Sequence, residues 1–157
     1  MVSQTVKEAW QANRRVNEVL LGHLTPGMLN ARTPGGGWTV AQHLAHFIGT
    51  TKYWGTYFDE LGLMALPDLY DRNAEDFVPE TDLGRIAEVM AQTAETVLEA
   101  AEAAPGTGEL PHSSLDVYLI HMMVHDAHHR GQILLALKTA GHSLPDEDLV
   151  WGPWKGQ

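Results

Sequence analysis

The sequence predicts an all-α fold, a four-helix bundle, on three observations. Four segments carry apolar residues at the 3.6-residue helical period; no stretch alternates with period two over strand length; and Gly and Pro cluster between the periodic segments instead of dividing short β runs. The segments, about 17 to 28 residues or roughly 25–42 Å at 1.5 Å per residue, suit a bundle better than a globin-like stack.

The first helix is expected over about 5–21, with Thr5 and Glu8 as a capping box, Val6, Trp10, Val16 and Leu20 at helical spacing, and Gly22 as the stop. The second follows Gly35-Gly36-Gly37. Thr39 and Gln42 form its capping box, and Val40, Leu44, Phe47, Trp54, Phe58 and Leu61 carry the period on to Gly62. The third starts near Thr81, runs through Leu83, Ile86, Met90, Ala94, Val97 and Ala101, and stops at Pro105-Gly106. The fourth opens at Ser113 with Asp116 three residues on and stays apolar up to Ala140-Gly141, which marks it as the longest and most buried. The connection from 63 to 79 is far longer than a helix hairpin needs, so a crossover is expected to join helices two and three and let them run parallel. The tail, Leu149 to Trp154, is too aromatic for a solvated end and is expected to pack on the bundle or on a second subunit.

One domain over 1–157 fits the length of 157 residues with 44% apolar and 19% charged residues. The formal charge of −10 argues against nucleic acid or an anionic membrane as the main partner. No run approaches the roughly 18 apolar residues of a membrane span, and the N-terminus lacks a signal-peptide stretch, so the cytoplasm is the expected location. With no cysteine there is no thiolate ligand and no cysteine nucleophile. Nine histidines are the chemical resource, and any transition metal must be held by nitrogen and oxygen.

In His121-Met-Met-Val-His125-Asp-Ala-His128-His129-Arg130-Gly131-Gln132, His121, His125 and His129 advance only about 40° each round the helix and share a face with Gln132. An i, i+4 pair of neutral imidazoles can bind one ion without bending the helix. Helix two offers His43 and His46, and close to His46 on the wheel lie Thr50, Tyr53 and Tyr57, a prospective pocket wall. The run His125-Asp126-Ala127-His128-His129 is a poor zincin motif: Asp is one methylene too short for the usual base, and Leu135 stands where a third histidine belongs. The three glycines lack the Lys-Ser/Thr of a phosphate loop and read as a hinge.

Trp38-Thr39-Val40 with His46 eight residues after the Trp, together with His125-x-x-x-His129-Arg130-Gly131-Gln132, resembles the DinB-like/YfiT-like superfamily of bacterial bundle metalloproteins. The resemblance covers nearly the whole chain. It implies an up-down-down-up bundle, frequent homodimers, and a divalent ion, often zinc or nickel, on three histidines, here His46, His125 and His129. His43, His121 and His128 become neighbours. Many relatives carry an aspartate where this chain has Gly49, so a carboxylate contact found in them is missing here. Characterised members include transferases and isomerases that use low-molecular-weight bacterial thiols.

These readings lead to a metal-dependent small-molecule enzyme, a thiol-dependent S-transferase or a hydrolase, at an open three-histidine site holding one divalent transition metal per subunit. Tyr53 and Tyr57 are the candidates to donate a hydrogen bond to a developing anion. A non-catalytic metal-binding stress-response protein is the competing expectation, in which His43, His121 or His128 closes the site as a fourth ligand. A metal-free dimeric interaction module is the third.

Overall fold

Ser3, not Thr5, caps the first helix. Its Oγ accepts from Val6 N at 3.3 Å, and its own N–H donates to Asp116 Oδ1 at 2.9 Å, which ties this helix start to that of a helix more than a hundred residues away. Burial of Val2 draws the chain in two residues earlier than the Thr5/Glu8 pair suggests. The structure is a computed structural model that describes residues 1–71, 73–104 and 110–156. Its α-helices are α1 (Gln4–His23), α2 (Val40–Gly55), α3 (Glu60–Ala65), α4 (Leu83–Ala103), α5 (Leu115–Thr139) and α6 (Glu147–Trp151). Among the described residues there is no strand, only two isolated antiparallel bridges.

The Thr39/Gln42 capping box starts α2 as expected. This helix does not continue to Gly62. A Cβ on Gly55 would lie 2.6 Å from Val97 Cγ2, so the end of α2 presses its backbone on α4; the chain then turns, and Asp59 caps the separate α3. Asp82 caps α4 and Ser114 caps α5, each one residue beyond the expected start. The Pro105-Gly106 stop lies outside the described residues. Gly141, at φ +75°, follows the end of α5 in the left-handed conformation that glycine adopts without strain.

Helices α1 and α2 each pack against α4 and α5. The core has two apolar halves. One gathers Leu44, Phe47, Ile86, Ile133 and Leu137; the other gathers Val6, Trp10, Leu63, Val97, Leu119 and Met122. On all four long helices the change from one half to the other falls on polar residues: Asn13 and Asn17 on α1, Thr51 and Lys52 on α2, Thr93 on α4, Asp126 and His129 on α5. A polar belt therefore crosses the middle of the bundle.

The crossover between α3 and α4 is fastened to α2 at both ends. Lys52 Nζ, buried at 4% exposure, donates to Leu66 O and to Asp68 Oδ1 at 2.8 Å, and Gln42 Nε2 donates to Phe77 O at 3.1 Å. Tyr70 pairs with Pro79 across this connection, and Leu69 beside it is buried. The C-terminal α6 and the 3-10 turn Gly152–Lys155 pack on α1, with Arg15 Nη2 donating to Pro153 O, yet Leu149, Trp151 and Trp154 stay 45–61% exposed. Trp10 lies in the core, 4% exposed with Nε1 donating to Ala94 O. Among the described residues no helix is long and apolar enough to cross a membrane.

Candidate metal centre

The approach to α2 is built to place one indole. Gly35 and Gly36 take φ near +80°, and a Cβ on Gly37 would lie 2.0 Å from Thr33 Oγ1, so the hinge needs its glycines. Thr33 N donates to Trp38 O, and Arg32 bridges Thr39. Trp38 is thereby set directly before the α2 cap, with its ring 4.8 Å from the His46 ring and stacked at 6.2 Å on His129.

His46 of α2 and His125 and His129 of α5 come together under this indole. One ring nitrogen from each lies within 4.8 Å of the others. His125 Nε2 and His129 Nε2 are 3.2 Å apart, close to the roughly 3.3 Å between two imidazole nitrogens on one tetrahedral zinc with bonds of about 2.0–2.1 Å. Burial, followed by repulsion from neighbouring imidazoles, lowers His125 to about 4 and His129 to about 3, and burial also lowers His46. At neutral pH all three rings are uncharged and offer lone pairs to a shared point. The donor set thus fits a divalent transition ion.

None of the three expected fourth ligands belongs to this group. His43 reaches His129 from behind, Nδ1 to Nδ1 at 2.9 Å. His121 stacks on Trp54 at 4.7 Å, and its Nδ1 lies 2.9 Å from His112 Nε2. His128 is exposed and edge-on to the His129 ring at 5.1 Å.

A cavity of about 360 Å³ opens beside His46, walled by Trp38, Tyr53, Tyr70, Phe77 and Met64. Tyr53 lines it and is 66% exposed. Tyr57 is not among the lining residues; its ring meets Tyr118 edge-on at 5.9 Å, because the turn after Gly55 carries it off the α2 face. Gly49 is part of the wall. A Cβ there would sit 3.5 Å from Tyr70 Cε1, so a carboxylate side chain at this position would project toward the space that Tyr70 borders.

Sequence reasoning missed the other polar cluster of α5. Fully buried Asp126 accepts from Asn13 Nδ2 (2.8 Å) and Asn17 Nδ2 (3.0 Å) and, more weakly, from Thr51 Oγ1 (3.4 Å). Arg130 Nη1 donates to the Oδ1 atoms of the same two asparagines at 2.7 and 2.6 Å. Burial raises the Asp126 carboxyl to about 6 against the pull of these donors. A signal existed: Asn13 and Asn17 are i, i+4 on an apolar helix face, as are Asp126 and Arg130.

The sequence profile of the DinB family matches residues 1–156. Among solved structures, a DinB-like protein from Bacillus cereus ATCC 10987 is similar over 90% of this chain and 94% of its own, with a TM-score of 0.67 at 18% identity. At that identity the likeness concerns the fold. No curated protein matches the chain.

Proposed function

The chain belongs to the DinB family, and on that footing we propose that it is a metal-dependent enzyme acting on small molecules, most specifically an S-transferase that uses an external low-molecular-weight thiol. The observation that carries the reading is the convergence of three neutral imidazoles beside an open cavity. His46, His125 and His129 would hold one divalent ion, for which zinc and nickel suit an all-nitrogen set. When bound, such an ion lowers the pKa of a coordinated thiol and polarises an electrophile. The chain's own part is binding and orientation. Trp38, Tyr70 and Phe77 wall the cavity against water, and the Tyr53 hydroxyl can donate to an anion forming there. The absence of cysteine means that the nucleophilic sulfur comes from outside.

Cobalt-substituted protein provides the test. Addition of bacterial thiols should give a sulfur-to-metal charge-transfer band and conjugation of a model electrophile. Four protein ligands and no response to thiol would establish the competing role, a non-catalytic stress-response protein with a structural or buffered ion.

The same proposal includes a homodimer through the outward face of α5. Val117, Ile120, Val124 and Leu135 are 41–60% exposed there, and no exposed α5 residue from Val117 to Leu135 is Asp, Glu, Lys or Arg. An exposed row of large apolar side chains with no charge among them calls for cover. The row is self-complementary: antiparallel pairing about Ala127 and His128 sets Ile120 opposite Leu135 of a second copy, Val124 opposite Gly131, and Asp116 near Lys138. Light scattering should give twice the chain mass, halved by Val124→Asp. A wild-type monomer at micromolar concentration refutes it.

A further inference from the structure

His43 sits three residues before His46 on α2, 6% exposed, with Trp38 edge-on at 5.5 Å and the His129 ring at 5.2 Å. Its Nδ1 faces His129 Nδ1 at 2.9 Å. Two bare lone pairs at that distance repel, and two N–H groups clash, so one nitrogen donates and the other accepts. The other end of His129 decides which. His129 Nε2 is the atom that faces His125 Nε2, and a nitrogen that ligates must be bare. A neutral imidazole has one N–H, so His129 carries it on Nδ1 and donates it to His43 Nδ1. His43 is left with its own proton on Nε2, which is buried without a partner.

We propose that His43 is a positioning residue of the metal centre: it is the acceptor that selects the ligating tautomer of His129 and fixes its ring. The inference rests on the metal-site reading above. Packing alone does not account for His43, because a leucine fills such a place without burying an unpaired N–H. The usual backing for a metal-bound histidine is a carboxylate or a carbonyl. Here the carboxylate nearest in sequence, Asp126, is turned away to Asn13 and Asn17, and a neutral imidazole takes the place. Three neutral ligands with neutral backing leave the full charge of a divalent ion uncompensated. That electrostatic demand favours an anion, such as a thiolate, in an open position.

The test is zinc affinity by chelator competition on wild type, His43→Leu and His43→Asn, with apo melting temperatures alongside. His43→Leu should lose about 10- to 100-fold in affinity while the apo protein melts no lower than wild type. His43→Asn, whose amide oxygen can accept the same hydrogen bond, should recover most of that loss. In the zinc-loaded wild type, nitrogen-15 NMR of the imidazoles should show His129 protonated on Nδ1 and His43 on Nε2. Affinity in His43→Leu within twofold of wild type, or the opposite tautomers in the NMR spectrum, would overturn the assignment while leaving the metal site standing. Absence of zinc binding in the wild type would remove the site itself.

Discussion

Residues 125 to 130 of α5 contribute to two buried polar clusters on different faces of the helix, and the two are finished to different degrees. On the α1 side, Asp126 and Arg130 close a ring with Asn13 and Asn17, in which the carboxylate and both asparagine amides are engaged. On the α2 side, one ring nitrogen each of His46, His125 and His129 faces a shared point, and His125 Nδ1 and His43 Nε2 have no partner. A satisfied network holds helices in register. An unsatisfied one costs stability and needs an explanation, for which the proposed ion is the candidate.

The sharpest way to break the contrast is to delete each cluster in turn. His125→Ala/His129→Ala should lower metal content from about one ion per chain to none by elemental analysis, with a smaller loss of apo stability in urea than Asp126→Ala gives, since it leaves no buried charge without its partner. Asp126→Ala should do the reverse. It leaves Arg130 without a compensating charge in the belt, and urea denaturation should show a loss of about 3–5 kcal/mol.

Acid separates the clusters by sign. Free of metal, His125 and His129 titrate at about 4 and 3 in the folded chain, with burial as the first cause and His46, His43, His121 and His128 adding repulsion; His43 and His46 are lowered too. Unfolded, each takes up its proton near 6.5. Between these values the unfolded chain binds more protons, so stability present above pH 6.5 is lost as pH falls toward 4. Asp126, raised by burial to about 6, works oppositely between 6 and 3.8, where the folded chain binds the extra proton. Four histidines outweigh one carboxyl. The apo protein should melt lower at pH 5 than at pH 7 by calorimetry, and His125→Ala/His129→Ala should shrink that difference.

The smallest effect belongs to a single spoke of the finished ring. Asn17→Ala removes one donor to Asp126 and one acceptor for Arg130 while Asn13 keeps its own pair of bonds, so a loss of about 1–3 kcal/mol in urea is expected.

What the sequence revealed of this arrangement follows the range of each signal. Helical period and the Thr39/Gln42 box act within one or two turns, so the long helices were readable, and an i, i+4 histidine pair declares its shared face by spacing alone. The cap on Ser3 was not readable, because it depends on Val2 being buried and on Asp116, both settled by tertiary packing. The close approach of Gly55 to Val97, where α2 ends, is a contact between helices that local sequence does not show. Helical spacing alone does not separate His43 from His46; the spacing of His46 from Trp38 singles it out, and the position of α5 sets His43 behind His129. Asp126 drew notice as part of a weak protease motif, whereas its partners lie on a helix that such motifs never consult.

The three-histidine triangle has unequal sides. Its His125–His129 edge lies within one helix, where the pitch sets it and no repacking elsewhere changes it much. The two edges to His46 span α2 and α5, whose separation is set by the apolar contacts of Phe47, Ile48 and Ile133 a turn or so away. An ion held as proposed would therefore have its fit set by side chains that do not ligate it. Trimming Ile133 to valine or alanine should shift α2 against α5 and change the two edges to His46 while the His125–His129 edge stays as it is.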